Sequence, residues 1–264
     1  MNVIKRCLRV GTFFAFLITS HAWASEDLIC DESCTFVLKS ERESKFTVIN
    51  QSRADTRLSP FSTFKIPNTL IALDLGVVSS LNQELTYDHE KYPAQRWWPT
   101  VWYEKPLPIR AAFQNSAVPI YQQIAFQVGV ERMNQYLTRF NYGNMDISSG
   151  VDRFWLDGSL KISAREQVNF LHKLFSGQLP VSSDTLVSFK KIMLVEETDK
   201  YKFYAKTGGG QTSKGYALGW YIGIVESKDN VHYFALNMDG DTFGEVQKNR
   251  VKMAKQQLIK LGIL

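Results

Sequence analysis

The 264-residue chain is expected to fold as a mixed α/β protein, an antiparallel sheet flanked by terminal helices with a helical lobe beside it. Three observations predict this. β-forming segments stand near both ends of the chain, helical periodicity fills the middle, and no repeat or low-complexity linker divides them. Strands drawn from distant segments must meet in one sheet, and the helices between them then form a layer or lobe of their own. A hydrophobic content of 44% is enough to bury one domain, or two intimately packed lobes, with a groove where the lobes meet.

Lys5, Arg6 and Arg9 precede the apolar run Val10 to Ile18, and Ala22-Trp23-Ala24 follows. A basic start, a short apolar core and small residues at a cleavage position read as a secretory signal over residues 1–24. The run is too short to span a bilayer, which needs about 20 apolar residues. The expected mature domain is residues 25–264, with no membrane span, exported to the periplasm.

Thr35-Phe-Val-Leu and Phe46-Thr-Val-Ile are rich in β-formers and flank a charged run, the pattern of a hairpin. From Ser62 to Leu75 the apolar spacing turns helical, with Pro67 in or near the first turn, where a missing N–H is tolerated. Helical periodicity dominates residues 109–200, as in Ala164 to Phe175. Strands return at Lys202 to Lys206, Ala217 to Glu226 and Val231 to Met238, with Lys206-Thr207-Gly208 closing the first of them. A helix from Phe243 to Leu261 ends the chain.

Removal of the leader would take three basic residues from a formal charge of +5. The remainder has no Lys/Arg stripe interleaved with aromatics, so nucleic acid is not an expected partner. Cys30 and Cys34 read as a structural pair, bonded or free, without the spacing of a redox or zinc motif. His89, His172 and His232 lie far apart, which argues against a metal-dependent hydrolase, and no G-x-S-x-G elbow supports a Ser-His-Asp enzyme.

Ser62-Thr63-Phe64-Lys65 is an S-x-x-K, which sets a serine and a lysine on one helix face within hydrogen-bonding reach. The pattern is cheap, since Ser188-Phe-Lys-Lys191 repeats it. Only Ser62 follows a punctuated start, Ser59-Pro60-Phe61, that would place it where helix N–H groups lack partners. Lys206-Thr207-Gly208, followed by Gly209 and Gly210, suits a sheet edge that a ligand approaches closely. Between them stand Ser116-Ala117-Val118, Tyr142-Gly143-Asn144 and Phe154-Trp155-Leu156.

In this order the five elements resemble the class D, oxacillinase-type serine β-lactamases, over most of the mature chain. The tyrosine-glycine-asparagine element separates that class from class A enzymes, which carry S-D-N and a catalytic glutamate. The resemblance implies the serine β-lactamase and penicillin-binding-protein-like transpeptidase fold. It also implies hydrolysis of a small β-lactam substrate through a Ser62 acyl-enzyme, and with that antibiotic resistance.

Lys65 is then the general base. A lysine is ordinarily protonated at neutral pH, and burial is what would make it neutral. The family's solution is a neutral lysine that takes up carbon dioxide and becomes N6-carboxylysine, so the resemblance implies carbon dioxide or bicarbonate, with no metal or organic cofactor. Phe64, Val118 and Leu156 would enclose Lys65, with Trp155 donating its indole N–H to the carbamate. Ser116 and Lys206 would pass a proton to the leaving nitrogen, and the N–H groups of Ser62 and Gly209 would form the oxyanion hole. Thr207, Gly208 and Arg250 would bind substrate, Arg250 alternatively being a solvated residue of a basic helix.

Tyr121 makes the polarity of the lysine pocket uncertain. The run Arg96 to Tyr103, with Trp97, Trp98 and Trp102, walls the groove or belongs to core and dimer contacts. The competing readings are a penicillin-sensing domain that is acylated without turnover, normally joined to membrane helices, and a cell-wall DD-peptidase. Monomer and homodimer are both represented in the family.

Overall fold

The computed structural model describes residues 29–43 and 45–264, so the expected leader at residues 1–24 lies outside the described residues. Six strands form one antiparallel sheet in the order β2-β1-β8-β7-β6-β5. They are β1 Cys34–Ser40, β2 Phe46–Ile49, β5 Leu194–Glu197, β6 Tyr201–Gln211, β7 Ala217–Ser227 and β8 Val231–Gly240. The N-terminal hairpin thus pairs with the last strand, and the two ends of the chain close one sheet. A two-residue pair, β3 Glu84–Leu85 with β4 Leu107–Pro108, stands apart.

Alternation along the strands feeds two cores, since successive side chains point to opposite faces. Phe36, Phe203, Phe234, Leu236 and Met238 pack under the C-terminal helix α8, Phe243–Lys260, which contributes Val246, Met253, Ala254 and Leu258. The other face meets α1 Gln51–Asp55 and α6 Ala164–Phe175. Beyond them lies the helical lobe of α2 Lys65–Asp74, α3 Ile109–Gln114, α4 Val118–Val128, α5 Val130–Phe140 and α7 Ser183–Met193. No helix among the described residues is long and apolar enough to cross a membrane.

The caps explain where several helices begin. Ser163 accepts from the Glu166 N–H while the Glu166 carboxylate accepts from the Ser163 N–H, which starts α6 at the expected residue. Thr242 caps α8 by accepting from Glu245 N–H. Gly129 (φ 81°) divides α4 from α5. Cys30 and Cys34 are joined by a disulfide, resolving the reading that sequence left open.

Three elements differ from expectation. The segment after Pro60 begins as a 3-10 turn, Phe61–Phe64, and only then continues as α2. β6 does not close at Lys206-Thr207-Gly208 but runs on through Gln211, because each of its residues stays in register with β7, down to Gln211 opposite Ala217. The helical stretch 109–200 ends in a strand, β5, which covers β6 only from Lys202 to Tyr204.

Candidate active site

Past Tyr204 no strand among the described residues lies beside the outer edge of β6, and the 3-10 turn carrying Ser62 packs against that strand. Glycine makes the approach possible. A Cβ on Gly208 would meet Thr63 Cγ2 at 2.8 Å and Pro60 O at 2.9 Å, and one on Gly210 would meet the Phe61 ring at 2.7 Å. The expectation of a sheet edge stripped of side chains is therefore met by a strand and not by a loop.

The turn itself is held from three sides. Phe61 has φ 47°, a left-handed conformation costly for a bulky residue, and its N–H donates to Trp155 O at 3.0 Å. Trp220 Nε1 on β7 donates to Ser59 O at 2.9 Å. The buried amide of Gln167 on α6 donates to Thr63 Oγ1 at 2.8 Å, and Thr63 Oγ1 in turn donates to Pro60 O. Asp157 accepts from Ser59 Oγ and from the Ser213 N–H, tying the Trp155 segment to both the turn and the end of β6. Ser62 is left half-buried between fully buried neighbours.

Lys65 is completely buried, and its Nζ lies 2.9 Å from Ser62 Oγ. Burial lowers its pKa to about 7, with no acidic side chain among the causes. The face of the Tyr121 ring lies 5.1 Å from Nζ, and the adjacent Phe64, also buried, stacks on Trp155 at 5.2 Å. The doubt about Tyr121 resolves in favour of an apolar surface. Its hydroxyl is paired with Thr69 Oγ1 at 2.7 Å, and burial raises the phenol's pKa further, so it stays neutral. Trp155 is buried and its Nε1 has no partner among the described residues. A buried donor without an acceptor costs about 1–3 kcal/mol and marks a place where an acceptor belongs. Val118, at the start of α4, is buried, and Leu156 is half-buried.

Lys206, near the middle of β6, donates to Ser116 Oγ at 2.5 Å and to Thr207 O at 2.8 Å. Ser116 stands in the turn between α3 and α4 at φ 55°. Burial, then the positive charges of Lys65 and Arg250, push the Lys206 pKa well down. Arg250 is not a solvated residue of a basic helix. It is 7% exposed, donates from Nη1 to Gly208 O at 2.6 Å, and is lowered by burial to about 10. The Arg250 Nε has no partner. Three buried basic side chains thus converge, no carboxylate among the described residues contributing to their shifts, while Ser62, Ser116, Thr207 and Gly209 remain partly exposed beside them. Such a site favours an anionic ligand and a serine whose proton is taken by a neutral amine.

The second S-x-x-K falls within α7, where Ser188 and Lys191 belong to the helix interior and not to its start. Among the described residues Tyr142 and Asn144 direct their side-chain hydrogen bonds away from Ser62 and Lys65, and the element acts as a clamp. Asn144 bonds to the backbone of Ser159 and Lys161, and Tyr142 packs edge-on against Phe64 at 5.8 Å. Gly143 is at φ 57°, and a Cβ there would sit 2.2 Å from Lys161 O. Gly143→Ala should therefore destabilise the fold by about 3 kcal/mol, a melting-temperature drop of roughly 5–10 °C in calorimetry.

Phe61, Gln167, Asp157 and Trp220 were not singled out by sequence. Only Gln167 carried a signal, as a polar residue on the stripe of Ala164, Val168 and Leu171 that α6 buries.

The penicillin-binding protein transpeptidase domain matches residues 34–258. The chain is 41% identical over 224 residues to Beta-lactamase OXA-5 of Pseudomonas aeruginosa, covering 83% of this chain and 81% of that one. It is 41% identical over 226 residues to Beta-lactamase OXA-48 of Klebsiella pneumoniae, covering 84% and 83%. The crystal structure of FUS-1 (OXA-85), a class D β-lactamase from Fusobacterium nucleatum subsp. polymorphum, superposes with a TM-score of 0.81 at 34% identity, covering 88% of this chain and 93% of that one. With its fold, its Ser62–Lys65 pair and these relatives in agreement, the chain belongs to the class D serine β-lactamases, within the penicillin-binding transpeptidase fold.

Proposed function

We propose that the protein hydrolyses penicillins and oxacillin-type β-lactams through an acyl-enzyme on Ser62, and that Lys65 works as N6-carboxylysine. The observation that carries this reading is the setting of Lys65: a buried amine brought to about 7, 2.9 Å from Ser62 Oγ, while Trp155, which stacks on the adjacent Phe64, keeps a buried indole N–H without a partner among the described residues. Burial penalises the ammonium and so favours the neutral amine, the form that adds carbon dioxide with release of a proton, and the resulting carbamate would supply a carboxylate-strength base that needs a hydrogen-bond donor to hold it in the enclosure. Trp155 would hold it by donating Nε1–H, and Val118 and Phe64 would exclude water.

Ser62 Oγ attacks the lactam carbonyl once its proton has passed to the base at Lys65. The N–H groups of Ser62 and Gly209 receive the developing oxyanion. Ser116 and Lys206 deliver a proton to the departing ring nitrogen, a path their 2.5 Å contact supports. Thr207, Gly208 and Arg250 bind the substrate carboxylate, Arg250 through the guanidinium next to Gly208 O. In deacylation the base at Lys65 takes a proton from water, the water oxygen attacks the ester carbonyl, and Ser62 Oγ leaves and takes back the proton from that base. No metal or organic cofactor enters this scheme. Among the described residues no cluster of three His, Cys, Asp or Glu side chains could hold a metal ion.

We further propose that residues 1–24 are removed on export to the periplasm and that residues 25–264 form the catalytic domain, conferring resistance on its host. The basic and apolar pattern of the leader and the Cys30–Cys34 disulfide support an oxidising destination.

Intact-protein mass spectrometry after a brief exposure to penicillin tests the nucleophile. A single adduct on the Ser62 peptide is expected, and an adduct elsewhere would contradict it. Because Lys65 titrates near 7, turnover in bicarbonate-depleted buffer should fall as pH drops below that value, where the protonated amine cannot take up carbon dioxide. Added bicarbonate should move this acid limb to lower pH in a pH–rate profile.

A further inference from the structure

The tryptophan cluster after Arg96 was read from sequence as a groove wall or as core, and the structure gives one of its members a more specific task. Trp102 is buried, and its Nε1 donates to Asn115 O at 2.8 Å. Asn115 is the C-cap of α3, and its carbonyl belongs to the peptide that leads into Ser116. Ser116 then adopts φ 55°, a conformation a non-glycine residue keeps only when its surroundings enforce it.

The enforcement is visible on every side of the turn. Ser116 N–H donates to Phe113 O at 3.1 Å and Ala117 N–H to Ala112 O at 2.9 Å, which fixes the turn to α3. The Trp102 indole holds the carbonyl of that same Asn115–Ser116 peptide, so the peptide is bonded at both its N–H and its C=O. The indole is itself immobilised between Trp98, at 5.9 Å, and Trp97, at 5.6 Å, and Trp97 is 66% exposed while the other two are buried. The outcome of this arrangement is Ser116 Oγ set 2.5 Å from Lys206 Nζ.

We propose that Trp102 is a positioning residue for Ser116: its indole N–H, by holding Asn115 O, sets the left-handed turn that brings Ser116 Oγ to Lys206. The inference rests on the reading of Ser116 and Lys206 as the proton path to the leaving nitrogen. It therefore concerns acylation and leaves deacylation, which depends on Lys65, untouched.

The test is pre-steady-state acylation by a chromogenic cephalosporin, with deacylation measured separately. Trp102→Phe should slow acylation roughly 10- to 100-fold, the scale of a misaligned proton-transfer group, while deacylation and bicarbonate dependence stay within about twofold. Should Trp102→Phe fold poorly, 3-benzothienylalanine at position 102 keeps the bicyclic ring and removes only the N–H, and the same loss is expected. In a Ser116→Ala background neither replacement should slow acylation further, because the group being positioned is already gone.

Unimpaired acylation in both Trp102 variants would overturn the inference, as would losses that multiply in the Ser116→Ala background. Wild-type acylation by Ser116→Ala alone would overturn the Ser116 assignment and the inference with it. Slow Ser116→Ala beside unimpaired Trp102 variants would overturn the inference only.

Discussion

Lys65→Ala should cut steady-state turnover by about 10³- to 10⁴-fold and leave the protein trapped as a penicilloyl adduct on Ser62. Lys65 Nζ is the group 2.9 Å from Ser62 Oγ, and no carboxylate contributes to its environment. Removing it takes away the proposed base for both half-reactions. Acylation retains the strained β-lactam ring as a driving force and continues slowly, whereas hydrolysis of an ordinary ester does not. Mass spectrometry should therefore find the adduct persisting for hours, and its prompt disappearance would show that another group activates the water.

The same lysine is a burden on the fold, and the sign follows from its titration. Its pKa is about 7 in the folded protein against 10.5 when unperturbed, so the charged form is disfavoured by folding. The cost is complete below about pH 7, declines as pH rises, and vanishes above the unfolded value. Lys65→Met, in bicarbonate-free buffer, should accordingly be more stable than wild type at pH 6 by an amount on the order of a few kcal/mol, with the difference shrinking toward pH 10.

Trp155→Phe should lower turnover roughly 10- to 100-fold at atmospheric carbon dioxide, the scale expected for one hydrogen bond to a charged group, and bicarbonate should restore much of it. The ring contact with Phe64 survives this replacement, and what disappears is the buried N–H that has no partner within the protein. The variant should need more bicarbonate for half-maximal activity while still forming the Ser62 adduct. Activity equal to wild type at low bicarbonate would mean that the indole N–H serves no acceptor on Lys65.

The residues that carry these predictions were readable because the chemistry demands particular side chains at particular spacings. Ser62 and Lys65 had to be three apart, and Lys206-Thr207-Gly208 had to end an apolar segment before more glycine. The start of α6 at Ala164 was equally legible, from apolar periodicity, and the Ser163–Glu166 capping box is the structural reason it begins there. The left-handed backbone at Phe61 and Ser116 was not, for neither residue type favours it and the enforcing bonds come from Trp155 and Trp102, distant in sequence. Four consecutive residues without strong β propensity likewise concealed the continuation of β6, which follows from its pairing with β7. Arg250 was ambiguous for a related reason: a helix rich in lysine gives no sign of which cation turns inward, and only the carbonyl of Gly208 decides it.

The most direct test of the account is to follow ring opening of a chromogenic cephalosporin and of oxacillin by the purified mature protein, with and without added bicarbonate, over many turnovers. Sustained turnover that bicarbonate raises is the predicted result, and it requires both a hydrolysed Ser62 acyl-enzyme and a carbon dioxide-dependent Lys65. A single stoichiometric burst followed by silence in either buffer would contradict it, and would mark a protein that is acylated by β-lactams without destroying them.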